Sequence, residues 1–187
     1  SYEVHVRDLA RALPVDAPHP RWARCRGQPW AGMGYRCLVP VFDAEGAMRS
    51  LRARRVIAGA DGLPKALTPA GHTMRGLVMG NPLAGILLET GARPPWWGDS
   101  APLRVVVAEG EPDYLTWALR VHDTPSVHPP AVFGIESGAW TDDIAARIPD
   151  GATVIVWTHH DEAGEKYAAR VAATLARRCA VMRGGVE

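Results

Sequence analysis

The hydrophobic pattern separates an irregular first half of the chain from a regular second half. From residue 103 onward, short apolar runs alternate with amphipathic stretches. The runs predict strands over 104–108, 131–134, 153–157 and 180–182, and the stretches predict helices over 113–122, 141–147 and 165–178. Strands that alternate with helices in this way are typical of an α/β fold. We therefore expect a small, doubly wound parallel sheet flanked by helices.

The first half predicts a mixed α+β subdomain. Residues 35–42 and 48–57 read as a β-hairpin joined by the turn at 43–46, and 75–79 reads as a further short strand. A short helix is expected over 2–13, and a weak helix or turn over 81–90. Residues 92–102 are rich in Pro and Gly and have the composition of a linker. We place the domain boundary there, which gives two domains, 1–100 and 101–187.

Charge differs between the two halves. Residues 1–100 carry 13 Arg and Lys against 8 Asp and Glu, whereas residues 101–187 carry 8 against 12. A basic half joined to an acidic half indicates a phosphate-handling surface and a metal-binding surface, although chance and an Arg-rich composition would give the same asymmetry. The three Cys are widely spaced and form no CxxC pair, so neither a zinc site nor a disulfide framework is expected. The chain has no run of 18 apolar residues, and we expect a cytoplasmic protein with no membrane partner.

Acidic residues follow two of the predicted strands. The first strand ends in Glu109, with Gly110 in the turn and Asp113 placed to cap the next helix. The third strand ends in the polar loop His159-His160-Asp161-Glu162. If the two strands are neighbours, Glu109 and Asp161 meet at the carboxyl edge of the sheet, where a cation such as Mg²⁺ is bound by carboxylates. The alternative is an ordinary strand–helix turn with solvated acids.

These residues resemble the Toprim domain, the catalytic fold of DnaG-type primases, topoisomerases and several nucleases. The sequence EGEPD at 109–113 matches the family's EGxxD motif, and THHDEAG at 158–164 matches its DxD motif except at the first aspartate, which is His159 here. The resemblance covers about residues 103–183. It implies that Glu109, Asp161 and His159 form the catalytic site. It also implies that these three residues and Asp113 bind Mg²⁺ or Mn²⁺.

The first half resembles, more weakly, the amino-terminal part of the DnaG-type RNA polymerase core. The matching pieces are LVPV at 38–41, DAEG at 43–46, LRAR at 51–54, PKALTP at 64–69 and GLVMG at 76–80. The resemblance makes five basic residues candidates for binding nucleotide phosphates and template backbone: Arg36, Arg52, Arg54, Lys65 and Arg75. A solvated strand face is the alternative for the arginines, and an ordinary surface position is the alternative for Lys65.

Together the two resemblances imply a fragment of a primase-like nucleotidyltransferase from a mobile element such as a phage or plasmid. Its activity would be DNA-directed RNA synthesis, with single-stranded DNA and nucleoside triphosphates as partners and a helicase module or partner nearby. One alternative is a Toprim nuclease. Another is a nucleic-acid-binding Toprim domain with impaired metal catalysis, which His159 makes plausible. Trp96 and Trp97 are expected to pack the two halves together or to stack on bases.

Overall fold

The computed structural model describes residues 20–56, 62–98, 101–123, 126, 128–136 and 138–184. The helix expected over 2–13 lies outside these residues. None of the helices among them combines the length and the apolar character needed to cross a membrane.

The strands and helices follow the predicted alternation. The strands are β1 (Arg24–Cys25), β2 (Gln28–Pro29), β3 (Tyr35–Phe42), β4 (Met48–Arg55), β5 (Ala66–Leu67), β6 (Val78–Gly80), β7 (Arg104–Glu109), β8 (Ala131–Ile135), β9 (Thr153–Trp157) and β10 (Ala180–Gly184). The helices are α1 (Pro82–Thr90), α2 (Gly110–Asp123), α3 (Asp142–Ala146) and α4 (Glu162–Leu175), and a 3₁₀ helix covers Pro95–Trp97.

Eight of the described strands form one mixed sheet in the order β10-β9-β7-β8-β6-β3-β4-β5. Strands β10, β9, β7 and β8 are parallel, whereas β6 pairs antiparallel with both β8 and β3, and β5 pairs antiparallel with β4. β1 and β2 form a separate antiparallel pair. The predicted α/β class, with a small parallel sheet flanked by helices, is confirmed.

The chain packs as two compact units. Of the described residues, the first unit contains those between 20 and 40 and between 50 and 73, and the second contains 41–49 and those from 74 to 184. Residues 74–98, which the sequence placed with the basic half, therefore pack with the parallel strands. These two packing units do not coincide with the two predicted domains, 1–100 and 101–187. The division at residue 100 stays a prediction.

The core of the second unit is built on the alternation of its parallel strands. Val105 and Val107 of β7 lie in register with Val154 and Val156 of β9, and all four are buried. They belong to one cluster with apolar residues of α1, α3 and α4. Burying one Val or Leu side chain contributes about 1.5–3 kcal/mol, so this face supplies much of the driving force that fixes the strand ends.

Helix α2 packs on the opposite face of the same sheet, very close to β8. A Cβ atom at Gly134 would lie 2.7 Å from Tyr114 Cβ and 2.7 Å from Met79 Cε, so only glycine permits this approach. Tyr114 is fully buried against the strand as a result. The approach of α2 to β8 places the acidic first turn of α2 at the carboxyl edge of β7.

The first unit has a smaller core on one side of the β3–β4 hairpin. Tyr35 of β3 and Ala53 of β4 are buried together with Trp30 and Ala23. The Tyr35 hydroxyl donates a 2.7 Å hydrogen bond to the carbonyl oxygen of Pro64, which holds the segment before β5 in place. Burial is the main cause that raises the pKa of Tyr35, and the nearby Cys25 adds to it.

Two helix starts differ from the predicted ones. α2 begins at Gly110, so Asp113 lies within its first turn and is not the residue that caps it. Gly110 has a φ of 72° and makes the turn out of β7 without the strain that a side chain would cause. α4 begins at Glu162, three residues before the predicted start at 165, because Asp161 caps it by accepting a 2.8 Å hydrogen bond from the Gly164 amide.

Candidate functional site

The ends of β7 and β9 meet at the carboxyl edge of the parallel sheet. The two strands are hydrogen-bonded neighbours, with Ala108 in register with Trp157. Directly beyond this pair, Glu109 Oε2 accepts a 3.0 Å hydrogen bond from the backbone amide of His159. The expected adjacency of the two acidic segments is therefore present, although 50 residues separate them along the chain.

The His159 ring contacts the other acid of the first motif. Its Nε2 lies 3.5 Å from Asp113 Oδ2. The Asp113 side chain is 19% exposed and the His159 side chain 53% exposed, so the contact lies at the rim of the edge and is open to solvent on the histidine side. One loop residue thus contacts both Glu109, through its backbone, and Asp113, through its ring.

Asp161 takes a different position from the other predicted ligands. Its Oδ1 caps α4 through the Gly164 amide, and its backbone carbonyl accepts a 2.9 Å hydrogen bond from the Glu165 amide. Among the described residues, no three His, Cys, Asp or Glu side chains are arranged around one point as ligands of a metal ion. The metal-binding roles of Glu109, Asp113, His159 and Asp161 therefore stay predictions.

The donor atoms at this edge nevertheless suit a hard divalent cation. Magnesium is commonly held by one or two protein carboxylates and completes its shell with water and substrate phosphate oxygens. Glu109 and Asp113 supply carboxylate oxygens within reach of the same loop residue. A cluster of three protein ligands is not needed for such an ion.

The loop that carries His159 is supported from the far side by Arg183 of β10. Arg183 Nη2 donates a 2.9 Å hydrogen bond to the His159 carbonyl, and Arg183 Nη1 forms an ion pair with Glu165 of α4. The hydrogen bond that Arg183 donates to the Glu165 carboxylate is the main cause that lowers the pKa of Glu165. The His159 peptide is thus held through its N–H by Glu109 and through its C=O by Arg183.

Gly164 is the second residue that fixes this peptide. A Cβ atom at Gly164 would lie 2.0 Å from the His159 carbonyl oxygen, so α4 can approach the loop only with glycine at this position. The sequence motif contained Gly164 but gave no reason for it, and nothing in the sequence pointed to Arg183. Both residues contact the His159 carbonyl: Arg183 from 24 residues later in the sequence, and Gly164 across the turn into α4.

Thr158 is a further residue that the sequence did not single out. It follows β9 on the face that carries Val154 and Val156, and it is 1% exposed. Its hydroxyl has no hydrogen-bond partner among the described residues. Buried hydroxyl groups are normally hydrogen-bonded, which makes Thr158 a point where a water molecule or ligand atom would be stabilised.

The basic candidates of the first unit divide between two faces of the hairpin. The Val56 amide bonds to Gly34 O, and the Asp43 amide bonds to Ala47 O, so Arg36 lies opposite Arg54 across the two strands. Arg52 lies on the same face two residues along β4, where its Nη1 donates a 3.0 Å hydrogen bond to Thr68 Oγ1.

Lys65 lies in line with a different arginine. The Arg55 amide donates to the Lys65 carbonyl oxygen, which places Lys65 opposite Arg55. Residues opposite one another in a ladder share a face, so Lys65 and Arg55 occupy the face opposite to that of Arg54. The structure brings Arg36, Arg52 and Arg54 together and sets Lys65 apart from them.

Arg75 belongs to the second unit. It is exposed, and the Gly76 amide next to it donates a 2.9 Å hydrogen bond to the Gly138 carbonyl, in the turn that follows β8. A Cβ atom at Gly138 would lie 3.5 Å from Arg75 Cγ. Arg75 thus lies beside the turn after β8.

The tryptophans expected to join the halves or to stack on bases, Trp96 and Trp97, contact each other but differ in exposure. Trp97 is 1% exposed in the core of the second unit, and its Nε1 donates to the Ala101 carbonyl, whereas Trp96 is 58% exposed.

Comparison with known proteins gives a structural likeness but no match in sequence. No protein-family model matches this sequence, and no curated protein matches it at a significant level. Among solved structures, the chain is similar to the one described as "Structure of the DnaG catalytic core", with a TM-score of 0.48 and 16% sequence identity. The match covers 88% of this chain and 54% of that one, so this chain spans about half the length of that protein.

Proposed function

We propose that this chain is the catalytic part of a primase-like nucleotidyltransferase that makes short RNA primers on single-stranded DNA with Mg²⁺ or Mn²⁺. The observation that supports this most directly is the meeting of the two acidic segments. Glu109 of the EGxxD segment accepts a hydrogen bond from the His159 amide, and Asp113 of the same segment contacts the His159 ring. The segments that resemble Toprim motifs are thus joined at one edge of the sheet.

Nucleotidyl transfer requires a nucleophile and a triphosphate to be held in line while negative charge builds on the phosphoryl oxygens. In the proposed mechanism Glu109 and Asp113 would hold the divalent ion, and Asp161, whose Oδ1 caps α4, would contribute its other carboxylate oxygen. The ion, when bound, would supply positive charge for the phosphates and for the leaving pyrophosphate. Arg183 and Gly164 keep the His159 peptide against Glu109, so that the carboxylate keeps its orientation during the reaction.

Phosphate binding would be divided between the two units. In the first unit, Arg36, Arg52 and Arg54 share one face of the hairpin, and Lys65 supplies a cation on the other face. In the second unit, Arg75 lies beside the turn after β8. Guanidinium groups bind phosphate oxygens in pairs of hydrogen bonds, which suits a template backbone or a nucleoside triphosphate. We expect a helicase module or partner to supply the template.

A second candidate function is nucleic-acid binding with impaired metal catalysis. It is favoured by His159, whose imidazole lies 3.5 Å from Asp113 where the family motif has an aspartate. An imidazole adds no negative charge, and a protonated imidazole would oppose a cation at Asp113. A Toprim nuclease is the third possibility, and it would use the same acidic residues.

One set of reactions separates these functions. The protein is incubated with a single-stranded DNA template, nucleoside triphosphates and either Mg²⁺ or Mn²⁺, and the labelled products are resolved by length. The proposed function predicts short RNA products that depend on the triphosphates and the metal. Shortened DNA would indicate the nuclease. Binding of the template without any reaction would indicate the binding module.

Glu109→Gln is the matching variant. The amide oxygen of Gln can still accept the His159 hydrogen bond, but the negative charge is gone, so we expect primer synthesis to fall by roughly a hundredfold or more. Glu45→Gln is the control, because Glu45 lies in the exposed turn between β3 and β4. Equal activity of Glu109→Gln and the unchanged protein would overturn the assignment of Glu109.

A further inference from the structure

An aromatic strip extends from the acidic edge along α2 and β9. Asp113 and Trp117 lie four residues apart in α2 and share a face of the helix. Asp113 contacts His159, and the Trp117 ring meets the Trp157 ring edge-on, with 5.4 Å between ring centroids. Trp157 ends β9 and His159 follows two residues later, so their side chains point to the same face of the sheet. The Asp113–His159 and Trp117–Trp157 contacts therefore lie side by side.

Arg120 lies next to this strip on α2. Its guanidinium carbon lies 5.7 Å from the centroid of the Trp117 ring, and its side chain is exposed. Among the residues that the structure describes, no carboxylate lies within ion-pair distance of Arg120, whereas Arg170 and Arg178 are paired with Asp142 and Asp150. Arg120 therefore has a positive charge available for an anionic group beside the two rings.

The neighbouring strand β10 presents a glycine beside Trp157, and the Trp157 ring packs directly over it. Gly184 of β10 lies in register with Trp157, and a Cβ atom there would lie 2.8 Å from Trp157 Cε3. Met182, two residues earlier in β10, is 51% exposed. The half-buried rings of Trp117 and Trp157 thus border an open, apolar part of the sheet face.

We propose that Trp117, Trp157 and Arg120 bind single-stranded nucleic acid, with a base against the tryptophan rings and a phosphate on Arg120. Aromatic rings stack on any base, and an adjacent arginine pairs with the backbone, which is the combination that single-strand binding sites use. The strip continues directly from Asp113 and His159, so a strand held there leads to the acidic edge. Binding of the nucleic acid does not depend on the proposed function. Only the inference that the bound strand leads to a reaction at the acidic edge rests on it.

The experiment compares two oligomers of equal length and charge. One is a fluorescein-labelled oligothymidylate, and the other is the same backbone with abasic sites. Binding is measured by fluorescence anisotropy with EDTA present, in the unchanged protein and in the Glu109→Gln variant. We expect the base-bearing oligomer to bind about fivefold to a hundredfold more tightly than the abasic one.

Two variants locate the preference. Trp117→Leu should remove most of the difference between the two oligomers, because leucine cannot stack. Arg120→Met should weaken both oligomers equally and reduce the slope of log affinity against log salt by about 0.7. Trp22→Leu and Arg170→Met are the controls and should leave the preference and the slope unchanged, since Trp22 lies in the first unit against Trp30 and Arg170 is ion-paired.

Several outcomes would overturn the proposal. Equal affinity of the unchanged protein for both oligomers would do so, as would a base preference that survives in Trp117→Leu. If Trp117→Leu changes the sedimentation velocity of the protein but not its base preference, the strip is a protein contact instead. If circular dichroism shows that Trp117→Leu does not fold, Trp117→Phe and Arg120→Met replace it. Trp117→Phe should keep the preference for the base-bearing oligomer, because phenylalanine keeps a stacking surface, and Arg120→Met should lower the salt slope. An unchanged salt slope in Arg120→Met would then overturn the proposal.

The result is independent of primer synthesis. If the protein makes no primers but keeps a Trp117-dependent base preference, the proposed activity is wrong and the binding strip stands. If primers are made and the preference is absent, the activity stands and the strip is wrong.

Discussion

Two groups of charged residues in this protein are specified in different ways. At the carboxyl edge of the parallel strands, Glu109 and the His159 amide lie 3.0 Å apart. In the antiparallel hairpin of the first unit, Arg36, Arg52 and Arg54 share one face, but Lys65 lies on the other. The convergence of the acidic group follows from the strand ends once β7 and β9 are known to be neighbours, whereas the arrangement of the basic group also required the register of three strands.

The difference follows from sheet geometry. All parallel strands end at the same edge, so residues just beyond them converge once the strands are neighbours. In an antiparallel hairpin, a shift of one residue moves a side chain to the opposite face. A list of basic residues in a predicted hairpin therefore does not define a surface until the register is known.

The strongest test of the parallel half changes its closest helix–strand contact. In Gly134→Ala the new Cβ would meet Tyr114 and Met79, and we expect a loss of roughly 1–3 kcal/mol of unfolding free energy. Gly85→Ala is the matched control. Gly85 lies within α1 and has open space at its Cβ, so its replacement should stabilise the protein by about 0.5–1 kcal/mol. Urea denaturation measures both, and equal effects of the two substitutions would contradict the close approach of α2.

The next test asks whether the basic face of the hairpin acts as one surface. Replacing Arg36, Arg52 and Arg54 together by Gln should weaken single-stranded DNA binding about tenfold. It should also reduce the salt slope by roughly 2, as expected for three lost phosphate contacts. Lys65→Gln alone should change affinity only slightly and should add independently to the triple variant. Anisotropy titrations at several salt concentrations check this, and non-additive effects of Lys65 would place all four residues on one ligand.

A smaller effect is expected for His159→Asp. The new carboxylate would lie near Asp113, and repulsion between the two should destabilise the metal-free protein. The same added charge should tighten Mg²⁺ binding about fivefold, which corresponds to one exposed charge contact of about 1 kcal/mol. His159→Asn is the control that removes the imidazole without adding charge. Thermal unfolding with and without Mg²⁺ is the measurement. If Mg²⁺ does not restore the stability of His159→Asp, the assignment of this edge as a metal site is wrong.

The smallest effect concerns the support of the His159 loop in acid. The hydrogen bond from Arg183 lowers the pKa of Glu165, so this pair stabilises the fold at neutral pH and loses that contribution as the pH falls through the lowered pKa. The stability of Arg183→Met should therefore decline less steeply between neutral and acidic pH than that of the unchanged protein. Lys166→Met, which removes the partner of Glu162, is the control. Parallel stability curves for the protein and Arg183→Met would contradict the prediction.

The sequence predicted those parts of the fold that local pattern determines. β9 was predicted at its observed bounds, Thr153–Trp157, because its apolar run is flanked by polar residues. The adjacency of β7 and β9 could only be stated as a condition, since periodicity does not give strand order. The start of α4 was missed because Asp161 was read as a loop residue. An aspartate that caps a helix and one that binds a metal look alike in sequence.

The supporting residues of the candidate site could not be predicted. Arg183 reaches the His159 carbonyl from a strand 24 residues later, and Gly164 is required by a carbonyl oxygen that folds back over it. The buried Thr158 hydroxyl has no sequence signature either. These roles depend on distances that only the folded chain defines, whereas the motif residues Glu109 and Asp113 carry their chemistry in the sequence itself.

The position of Arg183 also has a consequence for protein synthesis. β7, β8 and β9, and α4 after them, are made before β10, yet the peptide that contacts Glu109 receives its last hydrogen bond from β10. Domains generally fold as units during synthesis, the amino-terminal ones first. A nascent chain that ends before residue 183 therefore contains Glu109 and Asp113 but lacks the side chain that donates to the His159 carbonyl. The support of the His159 peptide is thus completed only when the edge strand has been translated, after nearly all of the described sheet has been made.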